Sequence, residues 1–288
     1  MTILVTAASG HLGRLVVDAL LRRGVAPSEI VATARKPEVV TDLAELGVEV
    51  RRAVYDEPAS LDVAFAGADR LLFVSGSEVG ARIPQHRNVV DAAVRAGVGL
   101  VAYTSITRAD TSDLALAAEH RATEGMLEAS GLRHVFLRNS WYLENYTAQL
   151  PTYLEHGAVL GAARDGRVSA ATRADYADAA AAVLAGDDHA GHAYELGGTA
   201  FTLTELAATV ARVSGTEVVY RDLPVEDYAV ALVAAGLPEG YAQALADSDR
   251  GIAAGALFTD TGDLERLIAR PTTSLEDAVR AALPAGVR

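Results

Sequence analysis

Short apolar runs rich in β-branched residues alternate with amphipathic stretches through the first half of the chain. The runs Ile3 to Thr6, Ile30 to Thr33, Val48 to Arg52, Arg70 to Val74, Leu100 to Thr104 and His134 to Arg138 predict six strands. Helical periods lie between them. From Leu12 to Arg23, residues Leu12, Leu15, Val16, Ala19 and Leu20 share one face, and Gly24 supplies a stop. Arg82 to Ala96 and Leu114 to Ser130 read the same way. Strands separated by helices imply parallel pairing, because each parallel connection must cross the sheet, and right-handed crossovers put helices on both faces. The pattern predicts an α/β fold: a doubly wound parallel-sheet Rossmann fold with a smaller, mainly helical C-terminal domain.

The alternation stops after Arg138. The stretch Asn139 to His156 carries Trp141, Tyr142, Tyr146 and Tyr153 on a helical pattern and reads as a domain hinge. A helix from Ala174 to Ala185 and a strand from Tyr194 to Leu196 then return to the sheet, ahead of a helical region from Leu203 onward. The expected division is a Rossmann domain of residues 1–140, with 172–197 returning to it. Residues 141–171 and 198–288 would form a discontinuous domain covering the substrate.

Composition narrows the chemistry. No window approaches the roughly eighteen uninterrupted apolar residues of a membrane helix, and the N-terminus has no basic leader, so the expectation is a cytoplasmic protein with no membrane insertion. Without cysteine, and with seven histidines in no ligand spacing, no metal site is expected. A formal charge of −13 disfavours nucleic acid, whose binding rests on neutralised phosphates.

The sequence TAASGHLG follows the first strand and opens the first helix, where backbone N–H groups and the helix dipole can meet a pyrophosphate. Thr6, Ala8, Ser9, Gly10, His11, Leu12 and Gly13 are therefore candidate cofactor contacts. Ala7 stands where a first glycine is usual, at little cost where its φ is negative. His11 either covers the phosphates or lies in solvent. After strand two, Arg35 and Lys36 occupy the place of the carboxylate that holds an NAD ribose, and Lys36 is the chain's single lysine. This pair suits a 2′-phosphate, so NADPH is the expected cofactor and NADH the weaker one. Tyr55 and Asp56, after strand three, are placed beside the adenine.

Strands four and five end in FVSGSEVG and AYTS, which puts Ser75, Gly76, Ser77, Tyr103 and Thr104 at the carboxyl edge, around the nicotinamide half. The Tyr-x-x-x-Lys pair of short-chain dehydrogenases is missing; the matching stretch, EHRATEG, offers His120 and Glu124. Quinone reduction tolerates this, because it leaves a phenolate-like oxygen of pKa about 10 that solvent can protonate. Trp141 and Tyr142 either stack on a small planar acceptor or pack the hinge. Asn139 is placed to hydrogen-bond nicotinamide or substrate, and His120 is read either as an acid or as a structural histidine. The candidate catalytic residues are Asn139, Tyr142 and His120; the candidate substrate contacts are Trp141, Tyr142 and Ser77.

Longer segments carry a resemblance: SEVG from Ser77, PQHRNV from Pro84, AYTS from Ala102, ADTS from Ala109, then LRNSWYLENY, ATRADYA, LADSDRG and PTT. Through them nearly the whole chain resembles the NmrA-like branch of the atypical short-chain dehydrogenases/reductases, and within it the bacterial type 2 NAD(P)H:quinone oxidoreductase group. The resemblance implies NADPH as donor and a quinone-like acceptor. It also implies a cleft bordered by the loop after strand four and by Asn139, Trp141 and Tyr142, under a small C-terminal domain. Two other outcomes fit the same residues: an NADP(H)-binding redox sensor acting through a protein partner, and a reductase of another conjugated acceptor such as an imine or dye. The expected assembly is a monomer or homodimer.

Overall fold

The computed structural model describes residues 1–76, 78 and 80–283. Nine strands are present among them: β1 Ile3–Val5, β2 Ile30–Ala34, β3 Glu49–Arg52, β4 Arg70–Phe73, β5 Leu100–Ile106, β6 His134–Asn139, β7 Ala158–Gly161, β8 Ala193–Leu196 and β9 Val219–Asp222. Seven form one parallel sheet in the order β3-β2-β1-β4-β5-β6-β8. The chain winds one way from β1 to β3 and the other way from β4 to β8. The switch lies between β1 and β4, where Val5 stands opposite Leu72, and a doubly wound sheet opens a crevice beyond the carboxyl ends at that point.

The two-residue period of the central strands explains the layers. Ile3, Val5, Ala32 and Leu72 face helices His11–Arg22 and Arg173–Ala185, which bury Val16, Leu20, Ala180 and Leu184 against them. Leu4, Val31, Leu71 and Phe73 face the opposite way, onto Leu61, Phe65, Val89 and Ala93. A third cluster, including Leu143, Leu150, Val159, Phe201, Leu206, Ile252 and Val279, is drawn mostly from 141–171 and 198–283 and reaches back to Ile106 at the end of β5 and to Ala109, Leu114 and Ala117 beyond it.

Two expectations need correction. The stretch Asn139 to His156 is not one helix: Asn139 still pairs with Ile106 at the end of β6, and helices Leu143–Thr147 and Leu150–His156 follow. Pro151 lies in the first turn of the second of these, where its missing N–H costs nothing. The C-terminal part also holds a small parallel sheet of β7 and β9 that the helical reading did not contain. Among the described residues no helix is long and apolar enough to cross a membrane, and no group of three acidic or histidine side chains could hold a metal ion.

Behind β7, Asp249 is buried and accepts the Ala162 N–H at 2.7 Å through Oδ2. Burial, reinforced by the nearby Asp222 charge, raises its carboxyl from 3.8 to about 6. The folded state therefore binds this proton more tightly than the unfolded chain does. The site's contribution to stability is largest below pH 3.8 and is lost as pH rises through about 6. Asp249→Asn keeps an acceptor for Ala162 and removes the titration. Relative to the parent, the variant should gain on the order of 2 kcal/mol in unfolding free energy between pH 4 and pH 8. Denaturant melts at the two pH values check this; a variant that tracks the parent at both contradicts it.

Candidate active site

The loop between β1 and the helix His11–Arg22 turns through Ala7, whose φ is +53°. The condition under which an alanine here costs little, a negative φ, is not met: it is held left-handed, at a cost of about 1 kcal/mol. The turn is fixed by the Ala8 N–H donating to Thr33 O (2.8 Å) and the Gly10 N–H donating to Ala7 O (2.9 Å). Gly13 then passes so close that an added Cβ would stand 2.4 Å from the Ala7 carbonyl oxygen. Gly10 precedes the helix without a side-chain cap, and no acidic residue sits in the first turn. The unpaired N–H groups and the positive end of the dipole are left for an anion.

A cleft of about 460 Å³ opens beside this loop. Ser9, Gly10, His11, Leu12, Gly13, Arg35, Tyr55, Asp56, Ser75 and Gly76 line it, as do Ala7, Glu78, Gln85 and Arg173, which the sequence reading did not place there. Arg35 is exposed and pairs with Glu78 (3.2 Å), whose carboxylate also accepts from Gln85 Nε2 (2.9 Å). The same Gln85 nitrogen donates to Asp56 (3.0 Å). The open helix terminus, the backbone approach that Gly13 permits and the Arg35 guanidinium fit a phosphorylated dinucleotide.

Several predicted contacts lie elsewhere. Thr6 is fully buried; its hydroxyl accepts from the Val74 N–H (2.9 Å) and stands 2.7 Å from the Tyr55 hydroxyl, so it joins β1 to the end of β4. Ala8 is buried, and Lys36 is exposed beyond the cleft lining. Thr104 Oγ1 accepts the Ser75 N–H at 2.9 Å and so holds the cleft wall from behind. Ser77 lies outside the described residues.

The wall after β4 is clamped at Gly76. His86 Nε2 accepts the Gly76 N–H at 3.0 Å, while Arg82 Nε donates to the Gly76 carbonyl at 2.6 Å. Burial, together with the Arg82 charge, lowers His86 to about 3, which keeps the accepting nitrogen unprotonated. His120 belongs to the same buried set, with Tyr103 Oη 2.8 Å from Nδ1 and Arg82 3.4 Å from Nε2. It is held neutral by burial and by Arg82. Tyr103 is wholly buried. Both stand behind the sheet's edge and support the clamp: the Tyr103 side chain of β5 is packed into the core and away from the cleft, and His120, on the helix Ala115–Ala129, has the surroundings of a structural histidine.

Asn139 ends β6 and is buried, and its Oδ1 is without a hydrogen-bond partner. Arg138 fixes that strand end through Glu124 (2.7 Å), Glu195 (3.0 Å) and Asp110 (3.1 Å). Trp141 and Tyr142 follow, both half-buried. Burial holds the Tyr142 phenol above its ordinary range, an effect opposed by the Arg173 charge and the Asn139 amide beside it. Its ring packs edge-on against Tyr176 (5.5 Å between centroids) and carries the Arg173 guanidinium 4.5 Å above its centre. Asn139, Trp141 and Tyr142 form a neighbouring group beyond the lining of the phosphate cleft.

A parallel sheet with an uncapped helix terminus at its switch point and an arginine after the second strand defines a dinucleotide-binding Rossmann protein. The chain belongs to the NmrA-like family, whose model matches residues 1–278. It is 50% identical to Quinone oxidoreductase 2 of Escherichia coli over 278 residues, 96% of this chain and 97% of that protein. The crystal structure of the Escherichia coli NADPH-dependent quinone oxidoreductase complexed with NADPH superposes with a TM-score of 0.95 at 49% identity, covering 97% of this chain and 99% of that one. The Citrobacter triphenylmethane reductase complexed with NADP(H) superposes with a TM-score of 0.94 at 38% identity, covering 98% of this chain and all of the other.

Proposed function

We propose that this chain is an NADPH-dependent quinone reductase that transfers two electrons as hydride. The observation that carries the reading is the single cleft running from Arg35, past the open helix terminus at Gly10 to Gly13, to Gly76 and Arg173, in a chain half identical to a quinone oxidoreductase. Arg35 takes the 2′-phosphate with Lys36 adding charge from outside the lining, the first helical turn takes the pyrophosphate, and Ser75, Gly76 and Asn139 hold the nicotinamide end. When bound, the dihydronicotinamide supplies a hydride from its C4.

The remaining work of the protein is orientation and the exclusion of water. The clamp of His86 and Arg82 on Gly76 fixes one wall, and Trp141 and Tyr142 offer a flat acceptor an aromatic one. The Tyr142 phenol keeps its proton at neutral pH. His120 is neutral and buried, so a hydroquinone oxygen of pKa about 10 takes its protons from solvent. A conjugated cation such as a dye is a second acceptor class, because adding hydride to a carbocation requires no proton at all. Residues 141–171 and 198–283 cover the acceptor, against a cofactor-binding unit of 1–140 with 172–197. The protein acts in the cytoplasm as a monomer or homodimer.

Anaerobic stoichiometry tests the two-electron claim. One NADPH should be consumed per quinone, with hydroquinone as product and no semiquinone signal in electron paramagnetic resonance; semiquinone appearing at half that stoichiometry would remove the hydride mechanism.

A further inference from the structure

Among the described residues after β6, Arg173 is the one that lines the cleft, and its surroundings are unusual for a cation. It occupies the first position of the helix Arg173–Ala185, at the positive end of that helix's dipole, where a positive side chain is disfavoured. Local contacts hold it there. The Glu144 carboxylate accepts the Arg173 backbone N–H at 2.9 Å and stands 3.6 Å from the guanidinium. The guanidinium donates to Asn145 Oδ1 at 3.1 Å, and its central carbon lies over the Tyr142 ring. The backbone beneath is tied across the hinge: the Ala171 N–H donates to Trp141 O (3.1 Å), and the Leu143 N–H donates to Ala171 O (2.9 Å).

The charges of the cleft make this arginine informative. Asp56 and Glu78 line the cleft, and the whole chain carries −13, yet a phosphorylated dinucleotide brings a pyrophosphate and a 2′-phosphate. Arg35, after β2, lies at the 2′-phosphate end. Arg173 is the other arginine of the lining, on the side of the glycine loop that leads to Asn139 and Tyr142.

We propose that Arg173 couples the two halves of the site: its guanidinium binds the phosphate at the nicotinamide end of the dinucleotide and, through the Tyr142 ring and Glu144, sets the aromatic wall on which the acceptor rests. The inference rests on the NADPH-dependent reading above and adds to it a residue and a coupling between cofactor and acceptor binding. Drawing the guanidinium toward a phosphate moves the cation that lies on Tyr142, so occupancy of one site changes the other. By linkage, the effect is reciprocal.

Trp141 is the only tryptophan and adjoins Tyr142, so its fluorescence reports binding without turnover. Titrations with NADP⁺, NAD⁺ and 2′-AMP are compared in the parent, Arg173→Ala, Arg173→Lys and Arg35→Ala. Arg173→Ala should weaken both dinucleotides about tenfold or more and leave 2′-AMP, which lacks the pyrophosphate, within twofold. Arg35→Ala should weaken NADP⁺ and 2′-AMP and spare NAD⁺. In the parent, saturating NADP⁺ should tighten the binding of a hydroquinone at least threefold. Arg173→Lys, which keeps the charge and loses the flat fork, should retain most NADP⁺ affinity and lose that tightening. Unchanged dinucleotide affinity in Arg173→Ala, or undiminished tightening in Arg173→Lys, overturns the proposal. Failure of the parent to bind NADP⁺ would instead remove the reading on which it rests. Retained 2′-AMP binding shows that a variant is folded, and the lysine variant decides the matter if the alanine variant is not.

Discussion

Gly13→Ala is expected to leave the protein folded but unable to hold NADPH at micromolar concentration. The added Cβ would meet the Ala7 carbonyl oxygen at 2.4 Å and the Thr6 oxygen at 2.8 Å, both backbone atoms of a turn already bearing a left-handed alanine. Neither can retreat without moving the end of β1 or the helix start. Overpacking of this kind costs about 1–3 kcal/mol, and here it falls on the geometry that presents N–H groups to the pyrophosphate. Cofactor affinity should fall on the order of a hundredfold. Gly125 provides the control: it lies inside the helix Ala115–Ala129 with nothing within 4 Å of an added Cβ, so Gly125→Ala should stabilise by about 0.5–1 kcal/mol and leave NADPH binding unchanged. Equal NADPH affinity in Gly13→Ala and Gly125→Ala would contradict the placement of the pyrophosphate.

Replacing Arg35 and Lys36 together by alanine is expected to lower kcat/KM for NADPH on the order of a hundredfold and to change NADH less than about threefold. Charge-assisted hydrogen bonds to a phosphate are worth about 1.5–3 kcal/mol each, less where the side chain is exposed. The Arg35 side chain is 72% exposed and shares its charge with Glu78, so the lower end of that range applies. Arg35 lines the cleft and Lys36 stands outside its lining, which assigns most of the loss to Arg35→Ala. Matched losses for the two cofactors would remove the 2′-phosphate assignment.

Strand positions were legible because buried parallel strands read as apolar runs: β1, β2, β4, β5 and β6 lie within two residues of their predicted ends, and the more exposed β3 and β8 were placed as closely by their positions in the strand–helix alternation. β9 was missed because it is short and largely exposed and leaves no apolar run, and β7 because its apolar Ala158 to Leu160 follow within two residues of the helix Leu150–His156 and read as its continuation. In the site, Gly10, Gly13 and Arg35 were readable because backbone chemistry fixes their sequence positions relative to a strand and a helix. Tyr103 was placed beside the cofactor because position on a strand near its end does not reveal which face a side chain takes, and the two readings of His120 stayed open because helical spacing alone does not reveal burial. Arg173 was missed for the opposite reason: it reaches the cleft from a remote segment, and its only local signal was a basic residue at a helix start, where the dipole disfavours one.

The most direct test of the central claim is NADPH oxidation, followed at 340 nm, with a simple benzoquinone, repeated with NADH under the same conditions. Turnover that requires the quinone and runs well above the NADH rate is the predicted result. Tight NADPH binding with no turnover across a panel of quinones would contradict the account and favour a redox sensor that signals through a protein partner.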